Sequence, residues 1–371
     1  MIKHIILIEL LFLSILSIGQ TKDSLFIRAL NKEKKQDYQG AITDFTKAIG
    51  INPNHSENYY NRAVCKAKLA DYKGAILDYT KAIELNPDDA NAYNNRATSK
   101  GQLKDYNGAI ADCSKAIELR ANFDSAYYNR AVSKDENNDF KGAIADYTIA
   151  IQLNSNDSRA YYYRGVCKSK LEDYIGSIAD FTKVIELNPS NANAFNNRAT
   201  SKYKLKDYIG SLPDLTKAIE LYPNEAIYFN NRGDCKTELQ DYIGALNDYN
   251  KAIDLNPNVG YYYYNKGVCK AKLANYTEGI TSLNKSIELD SDYAKSYNIR
   301  GVCKEFLKDY NGAIADYAKA INLNPINSIF YQNRGNCEIK MGDIRNGCLD
   351  FTKAVELGDS ESLALKKQYC H

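Results

Sequence analysis

Arginine and aspartate are the side chains in this sequence with the most evident capacity for chemistry, and they recur in step. An arginine is followed 16 residues later by an aspartate at Arg28 and Asp44, Arg62 and Asp78, Arg96 and Asp112, Arg130 and Asp146, Arg164 and Asp180, Arg198 and Asp214, Arg232 and Asp248, Arg300 and Asp316, and Arg334 and Asp350. Where the aspartate is lost, at Ser282, the arginine is lost too, at Lys266. A planar guanidinium and a carboxylate make two parallel hydrogen bonds. The pairs therefore predict bridges between two antiparallel helices, with Lys66 and its counterparts sharing the carboxylate from one turn along the same face. The arginines could instead form a ladder of ligand-binding cations. Each has a carboxylate of its own, however, and a partly buried strut explains both members.

The remaining chemistry is sparse. Six of the nine cysteines, Cys65, Cys167, Cys235, Cys269, Cys303 and Cys337, share one place in a 34-residue register with Ser99, Ser133 and Ser201. A place that alternates cysteine with serine asks for small volume rather than a bridge. Equivalent helices of neighbouring units lie about 8–10 Å apart, beyond the roughly 7 Å between Cα atoms that a disulfide spans, so these six are expected to be free thiols. Cys113 takes the place of a recurring aromatic, Cys348 lies in the last unit, and Cys370 is expected to be free to react or to link chains. Past residue 19 the only histidines are His55 and His371, and no Cys-x-x-Cys occurs, so no metal site and no cofactor are expected. The absence of any Gly-Lys dipeptide removes the phosphate-cradling loop. Without a base for a nucleophile, the chain does not read as an enzyme.

The elements that must position these residues are set by the same 34-residue period. Ala41, Ala75, Ala109, Ala143, Ser177, Ser211, Ala245, Gly279, Ala313 and Gly347 mark it without a break. In one unit, Ser56 to Asp89, a first apolar stripe runs through Tyr59, Ala63 and Leu69 and a second through Ala75, Ile76, Tyr79, Ala82 and Ile83. Asp71 is placed to cap the second helix, and Asn86 with Pro87 stops it. No unit buries such a face alone, so the pairs must stack. Pro213 stands beyond the first turn of the sixth second helix. It predicts a kink or a late helix start there, with a bend of the stack at that unit.

The string from Asp71 through Tyr72, Gly74, Ala75, Ile76, Tyr79, Ala82 and Ile83 to Pro87 closely resembles the tetratricopeptide repeat. The resemblance covers ten units: 22–55, 56–89, 90–123, 124–157, 158–191, 192–225, 226–259, 260–293, 294–327 and 328–361. It implies an all-α, right-handed superhelical solenoid of antiparallel helix pairs whose first helices line a concave groove for a peptide or a partner's helix. By that analogy the lining includes Tyr60, Asn94, Tyr128, Tyr162, Asn196, Asn230, Tyr264, Asn298 and Gln332. Amides donate to and accept from a peptide backbone, and tyrosine adds rigid area with a polar tip. The bland alternative is tyrosines packed on neighbouring repeats and asparagines facing water. Groove charges balance, with Arg159, Lys170 and Lys204 gathered beside Asp135 and Glu136. A related subfamily grips acidic C-terminal tails with lysine where this chain has Tyr60, Asn94 or Tyr128, which argues against that ligand.

Lys3 precedes an apolar run from Ile5 to Ile18, and Ser17-Ile18-Gly19 offers a cleavage site, so residues 1–19 read as a secretory signal peptide. The run is short of the roughly 20 residues of a membrane span. Residues 362–371 form a capping helix and tail, with Leu363 and Leu365 offered to the last repeat and Lys366 and Lys367 kept in water. A net charge of +2 gives no electrostatic case for nucleic acid. The sequence thus predicts an exported, non-catalytic scaffold that binds a protein or peptide through its groove. The alternatives are an assembly component of the cell envelope or a secretion system, and less plainly the sensing half of a regulator. End-to-end stacking leaves self-association open.

Overall fold

The computed structural model describes residues 24–370, so the proposed leader 1–19 and His371 lie outside the described residues. Helices account for all regular structure among them, and they fall into two units. The unit ending at Asn188 holds α1 (24–34), α2 (Tyr38–Ile51), α3 (Ser56–Lys68), α4 (Tyr72–Leu85), α5 (Ala90–Gln102), α6 (Tyr106–Leu119), α7 (Asp124–Glu136), α8 (Phe140–Leu153), α9 (Ser158–Lys170) and α10 (Tyr174–Leu187). The unit beginning at Pro189 holds α11 (Ala192–Lys204), α12 (Tyr208–Leu221), α13 (Ala226–Glu238), α14 (Tyr242–Leu255), α15 (Gly260–Lys272), α16 (Tyr276–Leu289), α17 (Ala294–Phe306), α18 (Tyr310–Leu323), α19 (Ser328–Lys340), α20 (Ile344–Glu356) and α21 (Ser360–Tyr369). Odd numbers up to α19 are first helices of a repeat and even numbers second helices.

Local sequence sets the helix ends. The first helix α3 closes with Ala70 at φ 60°, the Asp71 N–H donating to the Lys66 carbonyl at 2.9 Å and the Ala70 N–H to Ala67 at 3.0 Å. This is a left-handed C-terminal cap, here built without glycine. The next residue caps the following helix: the Asp71 carboxylate accepts from the Gly74 N–H at 2.9 Å. A Cβ on Gly74 would come within 2.1 Å of that carboxylate, so glycine leaves the cap room. In the eighth repeat Glu278 stands in that place and Asn275 makes no side-chain cap.

Packing within each unit repeats one pattern. Each second helix lies against its own first helix and against the next first helix, and successive first helices also touch, as α5 does α7 and α13 does α15. Small residues bring backbones together around one large side chain: Ala63, Ala75 and Tyr79 form one such core, and Ala131, Ala143 and Tyr147 another.

Three local expectations are corrected. Helix α12 starts and ends in register with its counterparts despite Pro213, so no late start occurs. The proline ring sits on the exposed face, as does Ile209, whose carbonyl loses its partner. Cys370 is not free but forms a disulfide with Cys348, their Cα atoms 5.7 Å apart, because α21 folds back on α20. That tether fixes which face of α21 turns inward: Ser362 is fully buried and Leu363 is exposed. The thiols of Cys65, Cys113, Cys167, Cys235, Cys269, Cys303 and Cys337 are free and buried.

Candidate partner-binding face

The arginine–aspartate pairs form fork-to-fork bridges between the two helices of a repeat. Arg62 Nε donates to one oxygen of Asp78 at 2.8 Å and Nη2 to the other at 2.7 Å. The same geometry joins Arg130 to Asp146, Arg198 to Asp214 and Arg300 to Asp316. In every pair but Arg334 with Asp350, a lysine one turn along completes the site, as Lys66 Nζ does at 2.7 Å from Asp78. The third arginine nitrogen reaches the preceding repeat: Arg62 donates to Thr46 Oγ1, and Arg130 to Ser114 Oγ. The strut therefore ties helix to helix and repeat to repeat, and Arg62, Arg96, Arg130, Arg164, Arg198, Arg232 and Arg300 also lie over an aromatic ring three residues earlier, Arg130 at 5.5 Å from the Tyr127 centroid. At Asp44 the Arg28 guanidinium, followed by Lys32, holds the carboxyl down to about 2. These arginines thus spend Nε and Nη2 on a carboxylate within their own repeat.

The asparagines placed on the groove by analogy have a different situation. Asn94, Asn196, Asn230 and Asn298 are buried, and each side-chain carbonyl accepts from an amide one repeat further on: Asn129 to Asn94 at 2.9 Å, Asn231 to Asn196 at 2.8 Å, Asn265 to Asn230 at 3.0 Å, Asn333 to Asn298 at 2.9 Å. Tyr60 takes the same part, its hydroxyl accepting from Asn95 at 2.9 Å. This amide ladder, with donors Asn95, Asn129, Asn231, Asn265 and Asn333, was not anticipated. Its signal was present as adjacent asparagine pairs recurring in first helices, which place acceptor and donor 35 residues apart.

Open space remains between successive first helices. One cleft of about 540 Å³ opens between α1, α3 and α5 with Tyr60, Lys68 and Gln102 on its walls. Another of about 480 Å³ lies between α5, α7 and α9, walled by Tyr128, Asn129, Asp135 and Tyr163. In the second unit a cleft of about 210 Å³ is lined by Lys204, Asn230 and Tyr261, and one of about 340 Å³ by Asp234, Tyr264 and Tyr293. Tyr60, Tyr128, Lys204, Asn230 and Tyr264 are thus brought to open clefts. Tyr162 packs edge-on against Phe181, and Gln332 is half-buried. Arg159 bonds Asp157 at 2.8 Å and covers the Tyr128 ring, while Lys170 bonds Asp135 at 2.8 Å. Two of the grouped cations are therefore neutralised in place.

Among the described residues no cluster of three or more histidine, cysteine or carboxylate side chains could hold a metal, and no helix is long and apolar enough to cross a membrane. The cysteine thiols are pushed up by burial, Cys65 and Cys167 to about 12, which removes nucleophilic character at neutral pH.

Comparison with protein families matches the tetratricopeptide repeat at residues 23–55, 56–89, 78–111, 128–192, 226–259, 260–293 and 294–327. The chain belongs to the tetratricopeptide repeat family. Comparison with curated proteins found no match. Among solved structures, a chain of the Cut9–Hcn1 hetero-tetramer of APC/C aligns over 94% of this chain and 96% of its own at 11% identity, TM-score 0.53, a likeness of fold. A tetratricopeptide repeat protein from Parabacteroides merdae aligns over 68% of this chain and 97% of its own at 20% identity, TM-score 0.49. YrrB, described as having an unusual peptide-binding site, aligns over 50% of this chain and 95% of its own at 26% identity, TM-score 0.45. Membership places this tetratricopeptide repeat protein among protein-interaction scaffolds.

Proposed function

We propose that the protein is an exported, non-catalytic scaffold that holds an extended segment of a partner protein against its first helices. The observation that carries this reading is the set of open clefts between successive first helices in each unit, walled by tyrosine and amide side chains. The helices beside them are held by struts and an amide ladder, so the wall is preorganised and little ordering entropy is lost on binding. Export is supported by the leader-like residues 1–19 and by the Cys348–Cys370 disulfide, a bond favoured in oxidising compartments. The test is affinity capture from envelope and secreted fractions with the chain and with the variant Tyr128→Ala/Lys204→Glu/Tyr261→Ala. Specific recovery of one protein that this variant loses, with helicity unchanged, is the expected result; equal recovery by both chains refutes the groove.

One observation favours assembly through the opposite face as a second reading. Ile209 and Ile243 stand at the same place on α12 and α14, 72% and 70% exposed. Ile209→Lys/Ile243→Lys would then abolish assembly and spare partner capture.

A further inference from the structure

Asp234 is the one carboxylate at its place in the first helices. Its counterparts in the flanking repeats are Thr200 and Val268, and elsewhere the place holds leucine, valine, threonine or asparagine. Tyr249 Oη donates to its Oδ1 at 2.8 Å, Asn265 Nδ2 to the same oxygen at 2.8 Å, and Asn230 Nδ2 to Oδ2 at 3.2 Å. These three bonds leave Oδ2 with one acceptor site, since a carboxylate offers about four. Among the described residues no lysine or arginine bridges it, in contrast to the aspartates of the struts. Burial pushes its carboxyl up to about 7, the mark of a charge held without a counter-ion.

This carboxylate lines the cleft of about 340 Å³ described above. Tyr261, Tyr264 and Tyr293 form a wall there, with ring centroids 6.1 Å apart for the first two and 5.0 Å for the last two. Tyr261 is 42% exposed, so its ring is accessible. Glu238 adds a second carboxylate at the rim, and among the described residues Lys295 is the one cation on the lining. A half-buried carboxylate at the end of an aromatic wall offers a cation both charge and ring faces. An ammonium, a compact charge with three donors, suits one remaining acceptor site better than a guanidinium, which needs two parallel ones.

We propose that this cleft receives the ammonium group of a lysine side chain presented by an extended segment of the partner, with Asp234 as its counter-ion and the tyrosine rings as its walls. The assignment rests on the groove reading above and names the side chain that the groove selects.

The probes are two synthetic peptides, acetyl-Gly-Gly-Lys-Gly-Gly-amide and the same sequence with norleucine for lysine. Each is titrated against the full chain while the side-chain methylene protons are followed by NMR. The lysine peptide is expected to bind at least tenfold more tightly, with its ε-methylene protons shifted upfield by the rings. Asp234→Asn is expected to erase that preference. Tyr261→Leu, at a half-open surface position, is expected to remove the upfield shift while leaving the fold intact. Equal binding of both peptides overturns the lysine assignment and leaves the groove reading standing. Binding of neither peptide overturns this assignment, and the capture experiment then decides the groove reading separately. A lysine preference that survives Asp234→Asn in a folded variant also overturns it.

Discussion

Asp146 sits in a fully furnished strut, receiving Arg130 through two bonds and Lys134 through a third. Asp146→Asn leaves two cations around a neutral amide, and loss of one partner from a buried pair costs about 3–5 kcal/mol. Urea unfolding should show this loss, with amide exchange accelerated first in α7 and α8. A midpoint within error of the parent would sink the strut. The last repeat breaks the rule and tests it in the other direction. Glu338 replaces the lysine there, one of its oxygens lacks a hydrogen-bond partner, and burial together with the Asp350 charge pushes its carboxyl up to about 7. Arg334 opposes that shift and Asp343 adds to it. A carboxyl raised in the folded state holds its proton where the unfolded chain has released it. Its contribution is therefore full below about pH 4.5, is lost as pH rises toward about 7, and stays lost above. Glu338→Lys restores the cation that Lys304 supplies to Asp316. It should raise the melting temperature at pH 8 by about 2–4 °C, with a smaller gain at pH 4.5. An equal gain at both pH values would disprove the assignment.

Helix boundaries were legible where they are written in adjacent residues, as Asp71 before α4 and Asn86 with Pro87 after it show. The amide ladder was not, because whether Asn94 faces water or meets Asn129 is decided by the lateral spacing of two helices. Likewise, the pairing of Cys348 with Cys370 depends on α21 folding back, which no period encodes. The turn into each second helix also went unread: Lys104 and Glu172 both hold φ 63°, a left-handed conformation that costs a residue with a Cβ about 1–2 kcal/mol. Glycine removes that strain but adds about 0.5–1 kcal/mol of unfolded-chain entropy. Lys104→Gly and Glu172→Gly should each stabilise the chain by about 0.5 kcal/mol on that balance, additively because they lie in separate turns. Thermal melts of the two single variants and the double variant check this, and a destabilised single variant would contradict the turn geometry.

Repetition makes a stronger claim for the chain as a whole, that contacts belong to register rather than to particular residues. Among the described residues, the extensive contacts between helices in the unit ending at Asn188 are within a repeat or between neighbours, so stability there should behave as a sum of repeats and interfaces. Deleting residues 90–123 takes out one whole repeat and brings α4 against α7. Arg130, which donates to Ser114, then meets Thr80, the partner that Arg96 has now. Asn129, which donates to Asn94, meets Tyr60, the partner that Asn95 has now. Ala82 takes the place of Ala116 opposite Ala126, small against small. The shortened chain should keep its helicity per residue by circular dichroism and unfold cooperatively, at a modestly lower urea midpoint. Deleting only residues 90–106 removes α5 and leaves α6 to face α4 without a first helix between, with Asp112 deprived of Arg96. That chain should lose helicity well beyond the 17 residues removed, since an unpaired second helix exposes its apolar face and an uncompensated carboxylate. Equal helicity per residue in the two deletions would mean that the repeats do not fold as registered pairs, and the clefts between their first helices would lose their physical basis.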